Sequence, residues 1–271
     1  MSLFKYDKAD NNIIIKFLFI NAKIRLNFNN RIYIVDNKKS KRVRKIKGLN
    51  VKFKGTNNKI IIQKGAKFNN TSIVCMGNNN EFEFGSITMS NSWINYNGSE
   101  NKLVIKSPNI IYEFGNICNG DKNQLYIDST KYVINKLSID CSAPKTERII
   151  DIKKDIAVGS ANIYLWTDKS SVVINEDCMF SWDVNLFTSD AHQIKDKASG
   201  HIINPGGHIE IGKHVWLGKG SNICKNVKIP DGTVVGMFSL VTKSINENCC
   251  VIAGQPAKIL RYNVEWNREY G

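Results

Sequence analysis

The chain shows three successive patterns of apolar and polar residues, and each of them predicts β-strands. Over residues 1–36 apolar residues recur at every second position: Ile13, Ile15 and Phe17, then Ile24, Leu26 and Phe28, then Ile32 and Ile34. A spacing of two places alternate side chains on opposite faces of an extended chain. The sequence therefore predicts two or three strands in this part of the chain.

A second pattern repeats at intervals of about 22 residues. A Gly is followed three residues later by an Asn, and apolar residues stand two and four positions beyond it. The asparagines, separated by 22, 21 and 22 residues, are Asn58, Asn80, Asn101 and Asn123. Repeats of this length are typical of stacked coils. Because Gly and Asn tolerate the backbone of tight turns, we expect the asparagines at equivalent corners and an ordered segment over 77–84.

From Ile211 onwards the period shortens to six. Each of six consecutive hexads begins with an aliphatic residue: Ile211, Leu217, Ile223, Ile229, Val235 and Val241. This period would place successive apolar residues on different sides of a helix, so a helix is excluded. Three short strands per coil give two complete coils here, with the aliphatic residues directed inward.

One segment interrupts this regularity between Leu186 and Ile209. It contains the sequence Thr188-Ser-Asp-Ala-His192, and His201 and His208 follow within it. An excursion adds nothing to the core of a coiled stack, and loops on rigid scaffolds often carry binding and catalytic residues. We therefore expect an active-site loop over residues 187–208.

The charge of the chain indicates which kinds of partner it can bind. The net charge is +14, and seven of the ten residues from Lys38 to Lys47 are basic. This basic segment is interpreted either as a solvated turn or as a docking patch for an anionic substrate or a membrane surface. No zinc-finger, helix-turn-helix or RNA-stacking motif is present, so specific nucleic-acid binding is not expected.

The seven cysteines have no paired spacing, which is typical of free thiols in a reducing compartment. The longest early apolar run, over residues 13–20, is too short to span a bilayer and lacks a cleavage signature. A cytoplasmic protein without an anchor is expected, and peripheral contact with the inner membrane surface remains open.

The hexads resemble those of the hexapeptide-repeat acyltransferases. Three segments narrow the likeness to the subgroup that acetylates sugar hydroxyls: Thr188-Ser-Asp-Ala-His192, Ile211-Gly-Lys-His-Val-Trp216 and Ala253-Gly-Gln-Pro-Ala-Lys258. The resemblance implies an all-β, left-handed parallel β-helix. We expect a β-rich extension over 1–48, irregular coils over 49–155, the hexapeptide-repeat β-helix over 156–260 and a C-terminal extension over 261–271.

The resemblance also implies an activity. It indicates transfer of acetyl from acetyl-CoA to a hydroxyl of a bacterial surface glycan, in a capsule or lipooligosaccharide, with sialic acid favoured because the charge suits an anionic acceptor. It further implies a homotrimer with active sites between subunits. Two alternatives are N-acetylation of a nucleotide-linked amino sugar and a non-catalytic β-helical scaffold or glycan-binding protein.

His192 is the expected general base. A sugar hydroxyl attacks a thioester poorly until a base removes its proton, and imidazole, with an ordinary pKa of about 6.5, suits neutral pH. The resembled motif places the base at the same position. His201 and His208 are the competing candidates, and Asp190 or Asp183 is expected to orient the ring.

The remaining site residues are predicted from the resemblance. Trp216 is expected to wall the acetyl group or the substrate, or else to pack at a subunit interface. The expected coenzyme A contacts combine small residues that admit the pantetheine arm with basic residues near the phosphates: Gly218, Gly236, Ala253, Lys243, Lys258 and Arg261. No cysteine has a base at suggestive spacing, so direct transfer is expected, and no metal is required.

Overall fold

The computed structural model describes residues 4–7, 12–17, 20–25, 29–36 and 39–269, and all regular elements in these residues are β-strands. The N-terminal strands are β1 (Phe4–Asp7), β2 (Asn12–Phe17), β3 (Ile20–Arg25), β4 (Arg31–Asp36), β5 (Lys39–Val43), β6 (Leu49–Phe53), β7 (Lys59–Gln63) and β8 (Lys67–Cys75). The central strands are β9 (Glu81–Phe84), β10 (Ile87–Asn97), β11 (Lys102–Ile105), β12 (Asn109–Asn119), β13 (Gln124–Ile127), β14 (Val133–Cys141), β15 (Ile149–Ile152) and β16 (Ala157–Tyr164). The C-terminal strands are β17 (Ser171–Ile174), β18 (Met179–Phe180), β19 (Val184–Phe187), β20 (His208–Ile211), β21 (Trp216–Leu217), β22 (Asn222–Ile223), β23 (Val227–Ile229), β24 (Val234–Val235), β25 (Leu240–Val241), β26 (Val251–Gly254) and β27 (Ala257–Arg261).

The N-terminal alternation forms strands, as predicted. β1, β2 and β3 make a small antiparallel sheet, whereas β4 pairs in parallel with β7 and in antiparallel with β5. Leu26, Phe28 and Lys38, which the sequence analysis also used, lie outside the described residues. The described part of the chain has no helix long and apolar enough to cross a bilayer.

From β4 onwards the chain winds into a three-faced parallel stack. The first face is built from β4, β7, β9, β11, β13, β15, β17, β20 and β23, with β5 at its edge. Long strands such as β16 cover the other two faces, because the start of β16 pairs with β18 and its end pairs with β19. In the hexad region these faces are separate: β18, β21, β24 and β26 form the second, and β19, β22 and β25 form the third. The three-sided coil predicted from the hexads is confirmed.

The interior is a stack of aliphatic and aromatic columns. The first residue of every hexad is buried with 0% exposure: Ile211, Leu217, Ile223, Ile229, Val235 and Val241. On the first face, buried residues at the same strand position lie in register from coil to coil, as Phe82, Leu103 and Leu125 do. Each coil thereby removes apolar side chains from water, at about 25 cal/mol per Å² of buried apolar surface.

The predicted asparagine corners are also confirmed. We call the turn between the third face and the first face the Asn corner. There the side-chain oxygen of Asn58 accepts bonds from the backbone and side-chain nitrogens of Asn80 at 3.0 and 2.9 Å. Asn80 accepts from Asn101, and Asn101 from Asn123, in the same way. Asn30, which the repeat pattern did not identify, extends this ladder at the N-terminal end.

The ladder asparagines do not adopt the tight-turn backbone that the sequence analysis expected of them. The left-handed backbone occurs one residue before each ladder asparagine, at Asn57 (φ 57°), Asn79 (56°), Glu100 (59°) and Lys122 (58°). The ladder asparagines are therefore selected for hydrogen bonding between coils. In the first three repeats the glycine is selected for space, since a Cβ added to Gly77 would lie 1.7 Å from the carbonyl oxygen of Gly98. In the fourth repeat Gly120 has the positive φ, 97°, that was expected.

Candidate functional site

The interrupting segment leaves the stack at the Asn corner. Its ends are held together because Gly207 donates its backbone N–H to the carbonyl oxygen of Thr188 at 2.8 Å. Thr188 is buried and its hydroxyl donates to the carbonyl oxygen of Tyr164 at 3.0 Å. Residues 188–207 therefore form one excursion whose base is fixed to the preceding coil.

Within this excursion the chain folds back on itself as a hairpin. Lys195 and Ile202 form an antiparallel bridge, and Ile203 donates to the carbonyl oxygen of Ile194 at 2.9 Å. At the tip, the carboxylate of Asp196 accepts bonds from the backbone N–H and the hydroxyl of Ser199, both at 2.7 Å. The loop is thus internally bonded although most of its residues are exposed.

His192 lies on the first arm of this hairpin with its side chain exposed. Asp190, the residue expected to orient the ring, instead pairs with Lys225 and accepts a bond from the side-chain nitrogen of Asn204 at 3.0 Å. These bonds, that of Lys225 first and that of Asn204 second, hold the pKa of the Asp190 carboxyl below its ordinary value. Asp183, the other candidate, lies at the turn between the second and third faces, where it bonds Ser160. Among the described residues, neither carboxylate contacts the His192 ring through a hydrogen bond.

The two competing histidines occupy different settings. His201 is at the hairpin tip, where its carbonyl oxygen accepts the N–H of Asp196 at 2.8 Å. His208 begins β20 on the first face, and its Nδ1 lies 2.8 Å from the hydroxyl of Ser171. Of the three, His192 is the one whose backbone carbonyl oxygen accepts a bond from Asn204, at 2.8 Å.

Trp216 begins β21 on the second face and is partly buried. Its indole nitrogen donates to the hydroxyl of Ser181 at 3.1 Å. Its ring lies 5.9 Å from that of Trp266, a residue of the C-terminal extension. The outer surface of this aromatic residue is therefore partly covered by the chain's own end.

The C-terminal extension is fastened to the coils at this point. Trp266 stacks on His214 with ring centroids 4.1 Å apart and donates its indole N–H to the carbonyl oxygen of His214 at 2.8 Å. Asp177 contacts His214 at 2.6 Å and the guanidinium of Arg268 at 2.6 Å. Partial burial would raise the pKa of Asp177, but the bonds from His214 and Arg268 outweigh it and hold this pKa below its ordinary value. The sequence analysis did not identify this fastening, because nothing in the hexad pattern connects residue 177 with residue 268.

Two of the three predicted catalytic residues, His192 and Trp216, are separated within one chain. His192 projects from the Asn corner, whereas Trp216 begins the second face, and β20 and the turn over 212–215 lie between them. A four-residue strand such as β20 spans about 13 Å. The structure therefore does not bring the two side chains together in a single copy of the chain.

Four of the six predicted cofactor residues lie at one place. Gly218, Gly236 and Ala253 stack in successive coils at the end of the second face, and Lys258 pairs with Ala253 across β26 and β27. A Cβ on Gly218 would lie 2.6 Å from the carbonyl oxygen of Val235, so the stacking of coils already accounts for that glycine.

Arg261 ends β27, opposite Val251. Lys243 is exposed at the Asn corner, beyond β25, which pairs with β22. The contact of all six residues with coenzyme A stays a prediction. Within the described ranges no three His, Cys, Asp or Glu side chains are grouped closely enough to hold a metal ion.

A three-faced parallel β-helix with hexads and a histidine-bearing excursion defines the class of hexapeptide-repeat acyltransferases. Comparison with known proteins is consistent with this class. The polysialic acid O-acetyltransferase of Neisseria meningitidis is 32% identical over 218 residues, which are 79% of this chain and 88% of the relative. That of Escherichia coli O1:K1 / APEC is 35% identical over 134 residues, 49% of this chain and 43% of the relative's length.

A solved structure agrees with this class. The crystal structure of the polySia-specific acetyltransferase NeuO matches with a TM-score of 0.57 and 25% identity, covering 83% of this chain and 91% of that one. No family model matches the sequence. The chain belongs to the family of the polysialic acid O-acetyltransferases. It is an acetyltransferase with the left-handed parallel β-helix that the hexads indicated.

Proposed function

We propose that this protein transfers the acetyl group of acetyl-CoA to a hydroxyl of an anionic bacterial surface glycan, with polysialic acid as the first acceptor to test. The observation that carries this proposal is the likeness to the meningococcal polysialic acid O-acetyltransferase over 88% of that enzyme's length. The net charge of +14 supports an anionic acceptor, because opposite charge speeds encounter.

In the proposed reaction His192 acts on the acceptor. Its neutral imidazole takes the proton of the sugar hydroxyl as the hydroxyl oxygen attacks the thioester carbonyl carbon. The carbon–sulfur bond then breaks, and the proton passes from the imidazolium to the thiolate of coenzyme A. The acetyl group moves directly to the sugar oxygen, without an acyl-enzyme.

The separation of His192 and Trp216 supports a homotrimer. A neighbouring subunit can bring its second face against the loop that projects from the Asn corner, so that each site is completed between two chains. The polar loop and the exposed basic residue Lys243 share this corner, where the ammonium of Lys243 would pair with a phosphate of the coenzyme.

The test is mass spectrometry of the purified protein incubated with acetyl-CoA and a panel of acceptors. The panel contains polysialic acid, a neutral surface polysaccharide and a nucleotide-linked amino sugar. An added mass of one acetyl group on polysialic acid, released by mild alkali as an ester, is the expected result. Acetylation of the amino sugar alone, stable to alkali, would replace the proposal with N-acetylation, and no transfer to any acceptor would contradict it. Light scattering of the same preparation measures whether the particle has three times the chain mass of 30.6 kDa.

A further inference from the structure

The side chain of Asn204 bonds to three residues around the proposed base. Its nitrogen donates to the backbone carbonyl oxygen of His192 at 2.8 Å and to the carboxylate of Asp190 at 3.0 Å. Its oxygen accepts the backbone N–H of Ile194 at 2.6 Å. One amide thereby connects the second arm of the hairpin to positions 190, 192 and 194 of the first arm.

This amide is in turn held by the body of the protein. Lys225 follows β22 on the third face, and its ammonium pairs with the Asp190 carboxylate and lies 3.4 Å from the carbonyl oxygen of Asn204. The Lys225 side chain is only 20% exposed, so its position is restricted by packing. The loop around His192 is therefore tied to the next coil of the stack.

The His192 ring itself is exposed and makes no side-chain hydrogen bond among the described residues. A general base must lie within about 3 Å of the acceptor's hydroxyl oxygen at the moment of transfer. Since no bond to the ring fixes its place, the backbone at position 192 has to be fixed instead. The three bonds of Asn204 provide this.

We infer that Asn204, supported by Lys225 through Asp190, is a positioning residue for the base. This inference rests on the proposed role of His192. It assigns Asp190 to holding the loop backbone and not to orienting the imidazole. Residues that orient metal ligands from outside typically change affinity or activity by about 10- to 100-fold when removed, and we expect an effect of this size for Asn204.

A double-mutant cycle tests the inference. Asn204→Ala should lower kcat by about 10- to 100-fold, leave the KM for acetyl-CoA unchanged and retain the rise of rate with pH. In a chain that already carries His192→Ala, the same substitution should lower the remaining rate by less than about 3-fold, because there is no base left to position. Ser199→Ala is the matched control, since it removes bonds at the hairpin tip and none around His192, and it should keep the normal rate.

The outcomes separate the two proposals. A normal kcat in Asn204→Ala while His192→Ala is inactive would overturn the positioning role alone. An equal loss from Asn204→Ala with and without His192 would overturn it too, because a general folding or acceptor-binding role is additive. A normal rate in His192→Ala would overturn the proposed base and the positioning role together. Circular dichroism spectra and thermal midpoints of all variants establish that they fold.

Discussion

The side-chain oxygen of Asn123 accepts a hydrogen bond from Nε of Arg148 at 2.8 Å, so the ladder of asparagines ends on a buried guanidinium. Arg148 is 1% exposed. Its other nitrogens donate to carbonyl oxygens, among them that of Leu165 at 2.9 Å. The buried positive charge of Arg148 is therefore hydrogen-bonded by neutral oxygen atoms in the turns of the coils. Arg148 is the last member of the asparagine ladder.

Replacing Arg148 by Ala should destabilise the protein by about 3–5 kcal/mol, because the buried carbonyl oxygen of Leu165 and two part-buried carbonyl oxygens lose the same donor together. The Asn123 oxygen keeps the backbone N–H of residue 148. Lys at this position should not restore stability, since one ammonium cannot reach the separate acceptors of a guanidinium. Urea unfolding followed by circular dichroism measures the loss. Lys145→Ala, at a half-buried position of the same turn, is the control, and equal midpoints for the two variants would contradict the prediction.

His192→Ala should lower kcat by about 10²- to 10⁴-fold, the usual contribution of a general base. The KM for acetyl-CoA should change little, since the ring acts on the acceptor's proton. The variant should also lose the rise of rate with pH that the wild-type enzyme is expected to show. Steady-state rates with polysialic acid between pH 5 and pH 8 provide the measurement.

His201→Ala and His208→Ala are the controls for that substitution. Both should keep turnover within about 3-fold of the wild type, because loss of a surface side chain outside the chemistry costs little. If either abolishes turnover while His192→Ala does not, the base is elsewhere in the loop.

Asp190→Asn should lower the rate without changing the shape of its pH dependence between pH 5 and pH 8. The bonds from Lys225 and Asn204 hold the pKa of Asp190 below its ordinary value. A carboxylate of this kind contributes its stabilisation above the ordinary pKa, and the contribution is lost only as the pH falls through the lower, folded value. The carboxylate therefore stays ionised across the measured range, and an inflection that shifts in Asp190→Asn would show that it is coupled to the base after all.

The basic segment is expected to act on capture of the acceptor. β5 is an exposed edge strand of the first face, and Lys39, Lys41 and Arg42 are exposed on it. Exposed charges are screened beyond about 8 Å at physiological salt, so they should influence encounter and not the chemical step. Neutralising four residues of the segment should raise the KM for polysialic acid and flatten its salt dependence, with kcat unchanged. A KM that does not respond, measured over a range of salt concentrations, would identify the segment as a solvated edge.

The sequence was sufficient for the fold because the fold is periodic. The hexads from Ile211 and the asparagine repeat from Asn58 are local patterns that recur in successive coils. The strands and the corners predicted from them were both confirmed. The contacts around His192 could not be predicted in this way. Lys225 meets Asp190 across 35 residues, and Arg268 meets Asp177 across 91, and neither pair follows the repeat. Such contacts depend on how the irregular loop and the C-terminal extension pack against the regular coils.

The proximity of Lys225 to the loop could have been inferred from the sequence, but only by counting the register from one coil to the next. β19 and β22 are paired strands of the third face, and continuing their register beyond Leu186 and Ile223 places Lys225 opposite Thr188. Lys225 therefore occupies, in the next coil, the position at which the loop begins in the preceding one. A register count across the excursion would have placed it beneath the loop, but the choice of Asp190 as its partner follows only from the side-chain geometry.

The number of coils fixes the distance between the basic edge at β5 and the loop at the Asn corner. Between β4, beside the basic edge, and β20, beside the loop, lie seven strand spacings of about 4.8 Å each, or about 34 Å. The loop and the residues that hold it belong to the last of these coils and the one after it. Adding or removing one coil upstream would therefore leave the loop and its bonds intact and change the distance between the basic edge and the loop by one fixed increment of about 4.8 Å.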